Sequence, residues 1–269
     1  FSVKILLPLA VVLATLAGCA KEEVSVKVVE EQAANSPEML VEYMWCKAGP
    51  DYSAETFAAL AADWNELNDT SMHKAVGAFG LVPKAESPNF DSIWTNVWTS
   101  QEARDAGWKD WLANDAADFG AKHDATLVCN PERVFLFAVS SVVKPDVEYD
   151  WTGTIPAMYS FCKLNEGKTQ ADAAAATGMF IDWVAAGRAA TGPNGLMVNS
   201  LTPLFDPETT EGAAAGIDGY RSVFWANAAE REAGMAAWLA EGNIAREAGE
   251  AAMSCDDYDF DLYPIKEIS

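Results

Sequence analysis

Residues 98–113 read WTSQEARDAGWKDWLA, and residues 225–240 read WANAAEREAGMAAWLA. The second stretch follows the first by 127 residues without a gap, and seven positions carry the same residue. They are a tryptophan, an arginine, an alanine, a glycine, a second tryptophan, a leucine and a second alanine. Internal repeats are the sequence signature of architectures built from a recurring unit. The match therefore predicts a chain that folds as two related halves.

A second match marks the start of each half, because residues 43–47 read YMWCK and residues 159–163 read YSFCK. Hydrophobic periodicity and capping residues then predict the elements of each half. In the first half these are a strand over 40–47, a helix over 54–67 capped by Ser53, strands over 74–82 and 92–99, a helix over 101–122 capped by Ser100, and a strand over 133–141. In the second half they are a strand over 157–164, a helix over 170–189, strands over 196–201 and 220–226, a helix over 228–252, and a strand over 258–265. The order βαββαβ is the ferredoxin-like unit. We therefore predict an α+β protein with two tandem ferredoxin-like repeats, over residues 38–145 and 152–269.

The cysteines of the two halves occupy corresponding places. In a ferredoxin-like sheet of order 4-1-3-2, the end of the first strand lies beside the start of the antiparallel fourth strand. Cys46 is near the end of a first strand and Cys129 comes just before a fourth, and Cys162 and Cys255 hold the same positions. We expect two disulfides, Cys46–Cys129 and Cys162–Cys255, which indicate an oxidising compartment. The alternative is four buried free thiols.

The N-terminal segment predicts export. Residues 1–18 read FSVKILLPLAVVLATLAG, with Lys4 before an apolar run. The run is shorter than the roughly 20 residues of a membrane-spanning helix, and it is typical of the core of a secretory signal. It ends in LAGC, which resembles the lipobox of bacterial lipoproteins. That resemblance implies a signal peptide over 1–18, lipidation of Cys19, and a polar tether over 19–37. An ordinary signal peptide with a chance cysteine and an uncleaved membrane anchor are the alternatives.

Lipidation of Cys19 would place the protein in the bacterial cell envelope. In well-studied Gram-negative bacteria an Asp after the lipidated cysteine favours retention in the inner membrane. The residue here is Ala20, which is compatible with the outer membrane, facing the periplasm, or with the cell surface. Cys19 is also the one cysteine without a partner if the other four form disulfides.

The charge of the chain restricts its partners. Lys and Arg total 18 against 40 Asp and Glu, for a net charge of −22. Such a surface repels DNA, RNA and anionic lipid headgroups, so we exclude nucleic-acid binding. The excess is explained by solubility in a salty medium, where charges are screened, or by attraction of cations or a basic protein. The predicted contact with a membrane is through the lipid alone.

Two consecutive ferredoxin-like units with a tryptophan at the end of the third strand resemble the dimeric α+β barrel superfamily. That group includes antibiotic-biosynthesis monooxygenases, NIPSNAP-like proteins and chlorite dismutases. The stretch W-T-S-Q-E-A at residues 98–103 resembles the monooxygenase and NIPSNAP type, and the resemblance extends over roughly residues 38–268. It implies that the two repeats form a pseudo-dimeric barrel within one chain, with the helices outside.

The strand faces that line such a barrel are candidates for a ligand cavity. In the third strand of the first repeat, Trp94, Asn96 and Trp98 share one face. The full set of candidate lining residues is Tyr43, Trp45, Trp94, Asn96, Trp98, Asn199, Arg221 and Trp225. The alternative is that Trp98 and Trp225 pack beneath the helices and the polar residues are exposed.

Metal and cofactor signals are weak. A haem enzyme of the chlorite dismutase type needs an axial histidine on a helix facing the cavity. His73 falls in a predicted loop, and His123 ends a predicted helix, where a cation offsets the helix dipole. The spacing of histidines and cysteines does not suggest a zinc site, and we predict no cofactor. Asp257, Asp259 and Asp261 alternate on one strand face and are a weak calcium candidate; such a stripe is more often a solvated sheet face.

Arg104 and Arg231 recur in the first turn of corresponding helices, where a cation is locally unfavourable. We expect each to pair with a carboxylate, from a neighbour such as Asp105 or Asp110 or from an acid on the sheet. Anion binding is the alternative.

For the protein as a whole, the sequence favours an exported module that is structural or binds a small apolar or aromatic ligand without catalysis. The competing hypothesis is a cofactor-independent monooxygenase-like enzyme acting on a small aromatic substrate, with Asn96 and Trp98 as its candidate residues.

Overall fold

Eight strands and six helices make up the part of the chain that the structure, a computed structural model, describes: residues 39–206 and 216–268. The predicted signal peptide, Cys19 and the tether lie outside the described residues. The strands are β1 (Met39–Ala48), β2 (Gly77–Pro83), β3 (Ser92–Trp98), β4 (Leu127–Val143), β5 (Ile155–Leu164), β6 (Met197–Pro203), β7 (Gly219–Phe224) and β8 (Met253–Lys266). The helices are α1 (Ala54–Thr70), α2 (Gln101–Asn114), α3 (Ala116–His123), α4 (Gln170–Thr191), α5 (Ala228–Glu241) and α6 (Asn243–Ala252).

The strands form one closed antiparallel barrel with the order β1-β3-β2-β8-β5-β7-β6-β4. Within the first half the order is β4-β1-β3-β2, and within the second it is β8-β5-β7-β6. Both are the 4-1-3-2 arrangement predicted for a ferredoxin-like unit. The halves join where β2 pairs with β8 and where β4 pairs with β6. The fold is therefore a mixed α+β barrel of ferredoxin-like character.

The disulfides follow from this strand order. Cys46 lies directly opposite Cys129 in the β1–β4 ladder, and Cys162 lies opposite Cys255 in the β5–β8 ladder. The S–S distances are 2.01 and 2.06 Å. These are the pairs expected from the sequence, one within each half.

The helix boundaries differ from the sequence prediction in one respect. The helix predicted over 101–122 is divided between α2 and α3 at Asp115, where φ is −119° and the helical geometry ends. Across this break Trp111 and Phe119 pack edge to face with ring centroids 5.1 Å apart. The helix predicted over 228–252 divides in the same way at Gly242. Ser53 and Ser100 cap α1 and α2 as predicted, each accepting a hydrogen bond from a backbone N–H.

Both faces of the barrel sheet carry buried clusters, which decides where a ligand could bind. The inner face carries a large aromatic core that includes Tyr43, Phe137, Tyr159 and Phe260. The outer face of the first half packs against helices through separate clusters that contain Trp94 and Trp98, among others. Within the described residues, no helix has both the length and the apolar character needed to cross a bilayer.

Candidate functional site

A cavity of about 290 Å³ lies between the outer face of the first-half sheet and the helices α1, α2 and α3. Its apolar walls come from β1, β3 and the three helices. Five tryptophans line it: Trp64, Trp94, Trp98, Trp108 and Trp111. We call this cavity the sheet–helix pocket. Its volume is close to the lower limit of small-molecule sites, which are typically about 300–1,000 Å³ and mostly apolar.

A fully buried carboxylate, Glu42, stands beside the pocket on β1. Arg104 donates a hydrogen bond from Nε to Oε2 at 2.5 Å, and Trp108 donates from Nε1 to both oxygens at 3.0 and 2.9 Å. Asn96 donates to Oε1 at 3.3 Å and in turn accepts a hydrogen bond from Trp94 Nε1 at 2.9 Å. The result is one connected polar network that joins β1 and β3 to the start of α2.

This network is what makes a buried charge tolerable. An isolated carboxylate in an apolar interior is very costly, whereas a paired and hydrogen-bonded one is stable. Arg104 lies 5.8 Å above the Trp108 ring, which adds a cation–π contact. Burial by itself lowers the pKa of Arg104, but the carboxylates of Glu42 and Asp105 outweigh burial and raise that pKa above its ordinary value. The guanidinium therefore stays charged, and the predicted acid on the sheet is Glu42.

Trp98, one of the residues that line the pocket, carries a hydrogen-bond donor without a partner. Its indole Nε1 is buried and has no hydrogen-bond partner within residues 39–206 and 216–268. The ring packs onto Gly107 of α2, where an added Cβ would lie 2.8 Å from two ring carbons. A buried donor without a partner costs about 1–3 kcal/mol. A ligand with an acceptor atom in the pocket would remove that cost.

Other polar groups at the edge of the pocket have structural roles. Asn68 bonds through both side-chain atoms to the backbone of Ala75, at 2.9 and 3.0 Å. Ser71 and Asp110 hydrogen-bond each other at 3.0 Å and tie α1 to α2. These contacts hold the walls in place and leave few groups free for chemistry.

The two histidines do not provide an axial ligand for haem. His123 ends α3, where its Nε2 lies 2.7 Å from Asp63 Oδ2 and its ring packs on Phe119. His73 is exposed in the loop before β2. The helical histidine is thus engaged with Asp63, and the histidine that lines the pocket lies in a loop. The residues present do not match the helical axial histidine that a haem of the chlorite dismutase type needs.

The structure separates the predicted cavity-lining residues into two groups. Tyr43, Trp45 and Asn199 have the inner parity of their strands, and the first two line the barrel interior. The remaining five have the outer parity, so they face the helices and not the barrel: Trp94, Asn96, Trp98, Arg221 and Trp225. The barrel-lining interpretation of these five is wrong because β3 turns Ile93 and Val97 inward and β7 turns Tyr220 and Phe224 inward. Trp98 and Trp225 pack on the helix side, as in the alternative interpretation.

In the second half, Trp225 packs in an apolar cluster with Val198 and Val223. Arg221 lies opposite Ser160 on β5, and the charge of Asp257 acts on it. Burial lowers the pKa of Arg221, and Asp257 partly opposes this. This side of the sheet therefore carries a buried arginine under the influence of a carboxylate, beside a packed core.

The aspartates proposed as a calcium site each have a separate partner. Asp257 accepts a hydrogen bond from Ser160 at 2.6 Å, Asp259 pairs with Arg231 at 2.6 Å, and Asp261 pairs with Lys84 at 3.0 Å. Among the residues that the structure describes, no group of three or more His, Cys, Asp or Glu side chains could hold a metal ion. The stripe is a row of ion pairs and hydrogen bonds.

Sequence reasoning missed the polar network beside the pocket. Glu42 interrupts an otherwise apolar strand, MLVEYMWC, and Arg104 recurs at the start of a helix. Together they signal a buried pair, because a lone acid in a buried strand needs a cation. Trp64 and Trp108 carried no comparable signal, since tryptophans on amphipathic helices usually belong to the core.

No known protein family matches this sequence, and no curated protein matches it. Solved structures resemble it in fold. A proposed monooxygenase from Fusobacterium nucleatum has a TM-score of 0.50 at 13% identity, over 86% of this chain and 94% of that one. An anthrone oxidase-like protein has a TM-score of 0.49 at 10% identity, over 88% and 97% of the two chains. Chlorite dismutase from Candidatus Nitrospira defluvii has 0.47 at 10% identity, over 90% and 97%. At such low identity the likeness is one of fold, a ferredoxin-like α+β architecture, and carries nothing about activity.

Proposed function

We propose that this protein is an exported lipoprotein whose barrel domain binds a small, flat, largely apolar molecule in the sheet–helix pocket. The observation that carries the binding proposal is the pocket itself, walled by five tryptophans and holding the unpartnered indole N–H of Trp98. Tryptophan walls favour aromatic rings, which stack or pack edge to face. The ligand is therefore an aromatic molecule with one hydrogen-bond acceptor at its edge.

Binding accounts for the pocket better than catalysis does. A general base must be able to reach a proton on the substrate. Both oxygens of Glu42 already accept hydrogen bonds from Arg104, Trp108 or Asn96. The amide of Asn96 is likewise engaged with Trp94 and Glu42. These residues build the wall of the pocket, and Trp98 is the group left to contact a ligand.

The two halves form, in our proposal, a tandem repeat that makes a pseudo-dimeric barrel within one chain. The support is the seven identities between residues 98–113 and 225–240, together with the shared strand order 4-1-3-2. Export and lipidation rest on the sequence of residues 1–19 and on the two disulfides, which suit an oxidising compartment. We place the protein on the outer membrane facing the periplasm, or on the cell surface.

The ligand proposal is tested with two isosteric probes. Quinoline carries a ring nitrogen that accepts a hydrogen bond, and naphthalene has the same shape without it. Calorimetric titration should show the wild-type chain binding quinoline about tenfold more tightly, the effect of one net hydrogen bond. The substitution Trp98→Phe should remove this preference and leave naphthalene binding nearly unchanged.

Trp225→Phe is the matched control, because Trp225 holds the corresponding position in the second half. It should leave the preference for quinoline intact. Equal affinity of the wild-type chain for the two probes, or a preference that survives Trp98→Phe, would rule out the assigned role of the indole N–H.

Measuring O₂ consumption distinguishes the monooxygenase alternative from the binding proposal. If the chain consumes O₂ in proportion to an added electron-rich phenol, and Trp98→Phe or Asn96→Ala slows this, the pocket is catalytic. A binding module consumes no O₂ above the rate measured with the phenol alone.

Lipidation is tested by expressing the whole chain behind an added initiator Met in a Gram-negative host. Cys19→Ser should move the protein from the membrane fraction to the soluble fraction; retention in the membrane would contradict the anchor.

A further inference from the structure

The barrel is closed at one end by the segment that links its halves. Residues 144–154 connect β4 to β5, and two aromatic residues of this linker pack into the inner core. The Trp151 ring lies 5.5 Å from Phe79 of β2. Tyr149 donates a hydrogen bond to the carbonyl of Gly195 at 2.6 Å. Both contacts anchor the linker across that end.

The opposite end holds a cavity of about 120 Å³ inside the barrel, on the other face of β1 from the sheet–helix pocket. Native interiors contain few voids larger than a water molecule. The walls are aromatic and aliphatic side chains. Six rings stand around the outer part of the cavity, and we call them the aromatic cage: Trp45, Phe90, Phe135, Phe161, Phe205 and Tyr258.

The floor of the cavity is uncharged and its polar atoms are satisfied. Tyr43 and Tyr159 meet there edge to face with centroids 5.5 Å apart, and their hydroxyls hydrogen-bond each other. Both are buried. Burial raises the pKa of each hydroxyl well above its ordinary value, so neither ionises at physiological pH. The floor thus presents ring surface to a ligand and requires no hydrogen bond from it.

The cage is preformed but incompletely covered. Its rings contact one another at centroid distances such as 5.3 Å for Trp45 and Phe135, and 5.4 Å for Phe161 and Tyr258. Tyr258 is 42% exposed, and Trp45, Phe135 and Phe161 are partly exposed. A contiguous group of exposed aromatic rings around an apolar void is typical of a binding site.

We propose that the aromatic cage binds a single neutral apolar ring, at a site separate from the sheet–helix pocket. The volume supports a monocyclic group, because a dry apolar cavity of about 150 Å³ is known to bind benzene. A charged group would lose its hydration and meet only aromatic and aliphatic side chains, with tyrosine hydroxyls as the sole polar groups of the walls. The edge-to-face geometry of the rings around the void favours an aromatic ring as the ligand over an alkyl chain.

Fluorobenzene is the probe, observed by ¹⁹F NMR on the full chain in solution. Saturable binding should survive Trp98→Phe, which alters the sheet–helix pocket alone. Phe161→Leu removes a cage ring and should weaken binding about tenfold. Phe180→Leu is the matched control, because Phe180 packs in the cluster between the second-half sheet and its helices. It should have no effect on fluorobenzene binding. Leu201→Phe fills the cavity and should abolish binding.

Absence of saturable binding to the wild-type chain overturns the proposal. So does binding that Phe161→Leu leaves unchanged while near-ultraviolet circular dichroism shows a native fold. If Leu201→Phe fails to fold because it overpacks the core, Phe161→Leu decides alone. Loss of fluorobenzene binding on Trp98→Phe, with Phe161→Leu neutral, would assign the probe to the sheet–helix pocket and remove the cage site, leaving the first proposal standing.

Discussion

The two halves of the barrel share an element order but differ in what lies between sheet and helices. In the first half a connected polar network borders a cavity: Glu42, Arg104, Trp108 and Asn96. Counting from the matched stretches of sequence, the corresponding residues of the second half are Met158, Arg231, Met235 and Val223. Three of these four are apolar and join a packed core with Trp225. The first half thus has a cavity between sheet and helices, where the second half has a packed core.

The arginine is the position that both halves keep, and each finds its carboxylate on a different strand. Arg104 pairs with Glu42 on β1, while Arg231 pairs with Asp259 on β8. Leu136 lies opposite Glu42 in the β1–β4 ladder, and Met158 lies opposite Asp259 in the β5–β8 ladder. The acid and the apolar residue have changed places between neighbouring strands.

That exchange alters burial. The side chain of Glu42 is fully buried, whereas that of Asp259 is 40% exposed. A buried acid must be surrounded by donors, and those donors form one wall of the sheet–helix pocket. An acid near the surface needs none, so aliphatic and aromatic side chains fill the same space. The location of one carboxylate therefore distinguishes the half with the sheet–helix pocket from the packed half.

The largest expected effect is the loss of stability on removing a disulfide, and the two halves should behave alike in it. The disulfides close loops of 83 and 93 residues. Loop-closure entropy grows only with the logarithm of loop length, and each bridge should stabilise the chain by about 4–5 kcal/mol. Replacing Cys46 and Cys129 by alanine, or Cys162 and Cys255, should lower the free energy of unfolding by nearly equal amounts in urea titrations.

Their reactivity should nevertheless differ. Cys255 is exposed, whereas Cys129 is partly buried and Cys46 and Cys162 are almost fully buried. Mild reductant should open Cys162–Cys255 first, as read by mass spectrometry after alkylation. A difference of more than about 2 kcal/mol between the two double variants would contradict the chain-entropy account and show that one half depends far more on its bridge.

The second effect separates the halves. Glu42→Met installs the residue of the second half and removes the acceptor that Arg104, Trp108 and Asn96 share. Removing one partner of a buried ion pair costs about 3–5 kcal/mol, to be measured as the loss of unfolding free energy in urea. The converse substitution, Asp259→Leu, breaks a pair that is partly exposed and should cost about 1 kcal/mol or less.

A combined variant tests the exchange directly. Adding Leu136→Asp to Glu42→Met moves the acid to the neighbouring strand, as in the second half, and should recover part of the lost stability. If Glu42→Met costs no more than Asp259→Leu, the buried network does not stabilise the first half as inferred.

These effects show how far the sequence could be interpreted. The strand order and the cysteine pairs follow from element order, because topology determines which strands are neighbours. The inward face of β3 could not be deduced in the same way. Ile93, Thr95 and Val97 on one face and Trp94, Asn96 and Trp98 on the other are all buried. Alternation identifies a buried face only when the opposite face meets water.

The polar network was harder to predict for a related reason. A recurring Arg104 indicates that a carboxylate is near, but it does not say which strand supplies it. Asp105 also bonds this arginine, at 3.0 Å, and adjacency in sequence favoured it equally. The choice of Glu42 depends on the packing of α2 across β1, which is a tertiary property. The linker that closes the barrel with Trp151 carried no periodic signal.

The third effect is smaller and concerns two equivalent glycines. An added Cβ at Gly107 would lie 2.5 Å from the carbonyl oxygen of His73 and 2.8 Å from the Trp98 ring. At Gly234 the nearest atom would be Trp225 Nε1 at 3.3 Å. Gly107→Ala should therefore lower stability by about 1–3 kcal/mol through overpacking, and it should displace Trp98 and weaken quinoline binding.

Gly234→Ala is the control for that comparison. Its contact is close to ordinary, and the gain in helix propensity, up to about 1 kcal/mol, should offset the small adjustment of Trp225. Its stability should stay within about 1 kcal/mol of the wild-type value in urea titrations. Equal losses at the two glycines would show that Trp98 is held no more tightly than Trp225.

The smallest effect depends on pH and belongs to the first half. The hydrogen bond from Lys122, followed by the contact with His123, lowers the pKa of Asp63 below its ordinary value. Asp63 lies ten residues after the residue that caps α1. In the second half, the residue ten positions after the cap of α4 is Met179. Because the folded pKa is the lower one, stability from this contact is complete above about pH 4, near the unfolded value, and is lost as the pH falls through the folded value.

Asp63→Asn removes that titration and keeps the shape of the side chain. The difference in unfolding midpoint between the wild-type chain and this variant should be constant near pH 5 and should shrink toward pH 3, in urea titrations at fixed ionic strength. Since the carboxylate is exposed to solvent, salt should reduce the difference further. A difference that stays constant down to pH 3 would mean that Lys122 and His123 stabilise α1 through contacts other than the charge of Asp63.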